Sequence, residues 1–451
     1  MSEAPPTQYT RFGDTYVAYQ VRGSGPDVVY VPTALHPIDL IWDDPVAARG
    51  LRRLAASNRL ICCDLIGVGS SDPVLYASLP AMQTWADGLS AVLDAAGSEY
   101  AAFVATAESC LPVLLYAASR PQRVRSLALW APYARFQRDD DHPAGMPAAS
   151  LDRYLDAFLE IGGTGGLVEF MAPSRAADDW FRAWWARGER LSAGRGYFGR
   201  IVSLFLRSDV RAVLETVQAP TLLVRRTGDW HVRGGHATAM VEAMPDARLV
   251  ELPGDDHAWF SGDADAVLDV VEEFLAGGRV AAPTNRSLAT VLFTDIVGST
   301  ERAAQLGDTA WSEVLAGHDA LARQRVAAYR GAVVKTTGDG VLATFDGPAR
   351  AIECATDLTQ AVRDLGLEIR AGLHTGEVEE RDGDVHGIAV HIAARVMALA
   401  GPGEVLVSAA VPPLVLGSGL QFADRGRHRL KGVPDEWNVY RVVAAVSADA
   451  P

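Results

Sequence analysis

Up to about Leu275 the sequence alternates short, wholly apolar runs with longer stretches of helical period, and few folds accommodate that pattern. The runs DVVYVP, RLICCD, AAFVA, SLALWA, PTLLVRR and ARLVELPG are rich in aliphatic residues at consecutive positions. A strand apolar on both faces must be covered on both, so these runs predict a mainly parallel sheet with helices on either side. The segments between them, such as 85–96 and 111–119, space their apolar residues as covering helices do. One stretch, about 133–217, breaks the alternation. It is helical in pattern and holds Trp180, Trp184 and Trp185, which predicts a helical cap inserted over the sheet with the tryptophans in its core.

The segment GGRVAAPTNRS, 277–287, has no periodicity and reads as a linker. Beyond it the pattern changes. ATVLFTDIVGST predicts a strand and 308–329 a long helix. AVVKTTGDGVLATF predicts a hairpin turning at Asp-Gly, and Pro348 opens a helix to 365. Strand, helix, two strands, helix and strand make an α+β domain. The expected organisation is therefore an α/β domain over 1–276, the linker 277–287, and an α+β domain over 288–451.

Composition narrows the partners. A chain of 451 residues with 49% hydrophobic and 22% charged residues is an ordinary globular protein of two or three domains. Its formal net charge of −15 argues against binding nucleic acid through phosphate neutralisation. No basic stretch leads into an apolar run at the start, and no eighteen apolar residues run together, so neither a secretory leader nor a membrane span is expected. Cys62, Cys63, Cys110 and Cys354 lack metal-site or disulfide spacing. A cytoplasmic location is the expectation.

The second domain carries the chemistry. Asp295 ends the strand LFTDIV and Asp339 lies at the hairpin tip TTGDG. Carboxylates at the ends of neighbouring strands can share hard divalent cations, although two aspartates near turns also fit turn and capping chemistry. Gly298, Ser299 and Thr300 lead into a helix whose free N–H groups suit a triphosphate. FTDIVGST, KTTGDG and GDVHGIAVHIAARV, in that order and spacing, resemble class III adenylate cyclases over about 288–442.

That resemblance implies a ferredoxin-like α+β fold and the conversion of ATP to 3′,5′-cyclic AMP and pyrophosphate. It also implies two Mg²⁺ or Mn²⁺ ions per site, held by Asp295, Ile296 and Asp339. Lys335 and Asp384 match the purine-reading positions; the lysine can donate to adenine N1 and the aspartate accept from its exocyclic amine, where guanine opposes both. Arg395 matches the transition-state arginine and Lys431 a triphosphate-binding lysine. His391 departs from the pattern, which usually has asparagine there. Homodimeric relatives build composite sites, with metal ligands from one chain and purine readers plus the arginine from the other. An alternative is a degenerate domain that only binds or dimerises.

The first domain resembles the α/β-hydrolase fold, through PDVVYVP, DLIGVGSSDP, AAFVATAESCLPVLLYAASRPQRV, RTGDWHVR and LPGDDHAWF. An active member needs Gly-x-Ser-x-Gly at a sharp strand-to-helix turn. Here the turn reads Ala105-Thr106-Ala107-Glu108-Ser109, with Ala107 at the nucleophile position and no oxygen to attack with. Asp229 and His257 match the acid and base, Thr33 replaces the oxyanion-loop glycine, and Ile66 stands where relatives often carry arginine. Ser109 and Cys110 lie past the turn. The expectation is a pseudo-hydrolase whose capped pocket takes a small ligand and regulates the cyclase; the rival is a working esterase with a regulatory cyclase-like domain.

Overall fold

The computed structural model describes residues 4–73, 82–277, 285–381 and 383–443. The chain divides between Thr284 and Asn285 into two compact units.

In the first unit the apolar runs become strands β1 (Gln8–Phe12), β2 (Thr15–Arg22), β3 (Asp27–Val31), β4 (Arg59–Cys63), β5 (Ala101–Thr106), β6 (Val124–Trp130), β7 (Thr221–Arg226) and β8 (Ala247–Leu252). They form one sheet in the order β1-β2-β4-β3-β5-β6-β7-β8. Pairing is antiparallel at the β1–β2–β4 edge and parallel from β4 to β8. Every residue of β5 is buried, as a central strand covered on both faces requires. Helices α1 (Pro45–Ser57), α2 (Met82–Ala95) and α3 (Cys110–Ser119) follow β3, β4 and β5. Asp44 caps α1 by accepting from the N–H groups of Val46 and Ala47, with Pro45 in the first turn, where a missing N–H costs least.

Between the paired strands β6 and β7 the chain passes through α4 (Ala148–Ile161), α5 (Val168–Met171), α6 (Asp179–Ser192) and α7 (Arg195–Arg207). Trp184 and Trp185 are buried, whereas Trp180 is 49% exposed and stacks on Trp184. The helical period of α6 explains the difference, because positions 181, 184 and 185 share its buried face and 180 does not. Helices α8 (Gly234–Ala243) and α9 (Ala264–Ala276) complete the unit. Of the expected linker, 278–284 lies outside the described residues, and Arg286 and Ser287 already belong to a strand.

The second unit begins with β9 (Arg286–Ile296), followed by α10 (Ser299–Leu306) and α11 (Asp308–Ala328). The hairpin is β10 (Ala332–Thr336) and β11 (Val341–Phe345), and α12 (Pro348–Ala361) leads to β12 (Ile369–Arg381). Then come β13 (Asp384–His386), α13 (Ile388–Ala398), β14 (Val405–Ser408), β15 (Gln421–Arg429) and β16 (Glu436–Val443). The sheet order is β10-β11-β9-β12-β14-β16-β15, with β13 on β12. Strands β14 to β16 extend the sheet beyond the expected six-element pattern. Leu292 and Ile296 of β9 pack with α11 and α12, while Val291 packs with α13 on the opposite face, as the two-residue strand period dictates. At Gly372 of β12 an added Cβ would meet the Met397 nitrogen at 2.1 Å, so α13 lies directly on the strand there. No helix among the described residues is long and apolar enough to cross a membrane.

Candidate functional sites

Three groups of side chains in the second unit carry the expected chemistry. In the first, β9 and the hairpin loop are joined by the Ile296 N–H donating to the Asp339 carbonyl at 2.9 Å, which brings Asp295 and Asp339 to one edge. Ser299 Oγ donates to Asp339 Oδ2 at 2.5 Å. Arg370, the cross-strand partner of Asp295 on β12, donates from Nε and Nη2 to Asp295 Oδ2 at 2.8 and 2.5 Å. Each carboxylate keeps Oδ1 without a hydrogen-bond partner among the described residues. Gly298, at φ +67°, turns the chain into α10 in the left-handed region that glycine adopts without penalty, with Ser299 and Thr300 in the first helical turn.

The second group is Lys335 and Asp384. Lys335 Nζ lies 2.5 Å from Asp384 Oδ2, and Asp384 Oδ1 accepts from the Val385 N–H at 2.9 Å. The Lys335 ammonium, seconded by that N–H, holds the Asp384 carboxyl below the usual carboxylate range. The third group lies at the far end of α13. His391 and Arg395 are exposed one helical turn apart, and Arg395 Nε donates to the Lys431 carbonyl at 3.3 Å. Among the described residues no hydrogen bond or ion pair joins one group to another.

Two carboxylates with free oxygens beside the Ile296 backbone form a hard oxygen donor set that suits Mg²⁺ or Mn²⁺, ions that complete their shell with water and substrate phosphate. No cluster of three or more metal-capable side chains occurs among the described residues, so a cation here draws its remaining ligands from backbone, water and nucleotide. Arg370 is absent from the sequence reading. Only the long β9–β12 register reveals it.

In the first unit the sharp turn between β5 and α3 falls at Ala107, whose φ of +50° is a strained value for a residue with a Cβ. His257 Nδ1 lies 2.8 Å from Asp229 Oδ2, and both residues are buried. Asp229 Oδ1 also accepts the N–H groups of His231 and Val232. Burial pulls the His257 imidazole down, but the Asp229 and Glu108 carboxylates outweigh it and hold the group above the ordinary histidine value. Ser109 Oγ donates to the Pro32 carbonyl at 2.5 Å, and burial pushes the Cys110 thiol well above its ordinary value. Glu108, which the sequence reading gave no role, accepts the Ala34 N–H on Oε1 at 2.8 Å.

The family model of the adenylate and guanylate cyclase catalytic domain matches residues 282–444, and that of TAP-like protein matches 207–287. The chain is 34% identical over 157 residues to "Putative adenylate cyclase 3" of Rhizobium meliloti, covering 33% of this chain and 27% of that one. It thus spans about a quarter of that relative's length. It is 32% identical over 246 residues to the pimeloyl-[acyl-carrier protein] methyl ester esterase of Chromobacterium violaceum, covering 53% of this chain and 91% of that one. The structure of a bromoperoxidase from Bacillus anthracis superposes with a TM-score of 0.51 at 20% identity, over 60% of this chain and 100% of that one.

Proposed function

Since the chain belongs to the α/β-hydrolase family in its N-terminal unit and carries a class III nucleotide cyclase catalytic domain in its C-terminal one, we propose that it converts ATP to cyclic AMP under the control of a hydrolase-like unit that has lost its own catalysis. The observation that carries the choice of purine is the Lys335–Asp384 pair. It presents a donor and an acceptor side by side, matching adenine N1 and its exocyclic amine; guanine, protonated at N1 with a carbonyl at C6, opposes both.

Asp295, Asp339 and the Ile296 carbonyl would hold two divalent cations, which would supply acidification of the ribose 3′-hydroxyl and charge to offset the triphosphate. Lys335 and Asp384 fix the base, and with it the ribose. The amides at Gly298, Ser299 and Thr300, together with Lys431, hold the phosphates. The 3′-oxygen bonds to the α-phosphorus as the bond from α-phosphorus to the β-phosphate oxygen breaks, and pyrophosphate leaves. Arg395 meets the charge that develops on the phosphorus oxygens, and His391 donates from a ring nitrogen where asparagine is usual. Positioning and charge stabilisation account for most of the catalysis in such reactions.

Among the described residues no hydrogen bond or ion pair joins the three groups, which supports a homodimer with composite sites, the metal ligands of one copy facing the purine readers and Arg395 of the other. In the N-terminal unit, Ala107 removes the nucleophile and leaves Asp229 and His257 nothing to activate, which supports a regulatory role for the cavity above them. Asp295→Ala and Lys335→Ala chains should each lose cyclic AMP formation, and mixing them should restore part of it by creating one intact site per mixed dimer. Full activity in either variant alone contradicts the site; no recovery despite demonstrated subunit exchange contradicts the composite arrangement.

A further inference from the structure

The cavity of the N-terminal unit is built from the residues a hydrolase would use, but its electrostatics are inverted. In an active hydrolase the N–H of the residue after the nucleophile and an N–H from the loop after the third strand receive a carbonyl oxygen. Here those donors belong to Glu108 and Ala34, and the Ala34 N–H already donates to Glu108 Oε1 at 2.8 Å. The acceptor is already supplied by the protein, so a substrate carbonyl arriving there meets a carboxylate instead of donors.

The charge around it is unbalanced. Glu108 and Asp229 bring two carboxylates to His257, which carries at most one positive charge, and burial drives His231 down to about 3, so that ring is neutral. Arg226 lies near His257 but is spent, its guanidinium donating to the carbonyls of Asp256, Ala258, Ser261 and Asp263. Among the described residues no lysine or arginine pairs with Glu108. Burial pushes the Glu108 carboxyl above its ordinary value, with the His257 imidazole acting the other way, and a ligand that brings its own cation offsets that cost.

The rest of the wall fits such a ligand. Tyr133, Tyr154, Phe158, Trp185, Phe198 and Phe205 line the same cavity. Aromatic faces attract cations. Resting on the reading of this unit as a ligand-binding module, we propose that the capped cavity binds an organic amine as its ammonium ion, with the charged nitrogen on Glu108 and the apolar body among the aromatic rings.

Calorimetric titration of the full chain with 2-phenylethylamine, tryptamine and hexylamine tests this, beside 2-phenylethanol and 3-phenylpropionate as neutral and anionic counterparts. Amines should bind, the alcohol at least about tenfold more weakly and the carboxylate not at all. Glu108→Gln, checked for an unchanged melting temperature, should weaken the amines by about tenfold or more, the scale of a lost hydrogen bond to a charged group. Equal affinity for alcohol and amine, preference for the carboxylate, no binding by any of the amines, or an amine affinity unaffected by Glu108→Gln overturns the proposal. The alcohol comparison needs no variant and holds even if Glu108→Gln fails to fold. Cyclic nucleotide formation measured with and without bound amine separates the two readings: binding without a change in turnover removes the regulatory role and leaves the amine site standing.

Discussion

Lys335 Nζ sits 2.5 Å from Asp384 Oδ2, across 49 residues of sequence, so the two residues assigned to the purine are already paired in a single chain. Neither is deeply buried, and an incoming base exchanges this contact for its own. Lys335→Glu with Asp384→Cys should lower kcat/KM for ATP by one to two orders of magnitude, the scale of losing hydrogen bonds to charged groups, and raise the relative use of GTP. Unchanged ATP kinetics in the double variant would mean that the pair does not read the base.

The turn at Ala107 keeps the backbone of a nucleophile elbow without its chemistry. Ala107→Gly should stabilise the N-terminal unit by about 1 kcal/mol, since glycine reaches φ near +50° without the Cβ penalty. Ala107→Ser should still hydrolyse no ester, because the Glu108 carboxylate occupies the Ala34 N–H that would stabilise the oxyanion. Urea midpoints check the first outcome and a panel of p-nitrophenyl esters the second. Ester turnover by the single serine variant would show that Glu108 leaves the Ala34 N–H free.

The Asp229–His257 pair makes the stability of the same unit depend on pH. The folded imidazole titrates above its unfolded value, so its charge stabilises the fold fully below about pH 6.5 and less as pH rises through the folded value. The difference in urea midpoint between the wild type and His257→Gln should therefore be largest near pH 6 and shrink towards about pH 9. A difference that stays constant or grows would contradict a protonated imidazole between the two carboxylates.

Much of this was legible in the sequence because it is local. Consecutive apolar residues in AAFVAT mark a buried parallel strand wherever they occur, and the alternation of such runs with helical periods fixes the layered fold of the first unit. Asp295, Asp339 and Lys335 were singled out by motif spacing, and the structure sets Asp295 and Asp339 at one edge. Strand β15 was not legible, because QFADRGRHR is polar, mostly exposed and without an apolar run. Arg370 stayed hidden because its place beside Asp295 depends on the β9–β12 register. Glu108 stayed hidden for a related reason: its carboxylate finds Ala34 only because the β3–β5 pairing brings two distant loops together. Contacts across strands depend on long-range pairing, which residue pattern alone does not state.

The central claim is tested most directly by incubating the full chain with ATP or GTP in the presence of Mn²⁺ or Mg²⁺ and quantifying both cyclic nucleotides. Cyclic AMP should form at least about tenfold faster than cyclic GMP at equal substrate, with no cyclic AMP from Asp339→Ala. Cyclic GMP as the main product, or undiminished cyclic AMP formation by Asp339→Ala, would contradict the account.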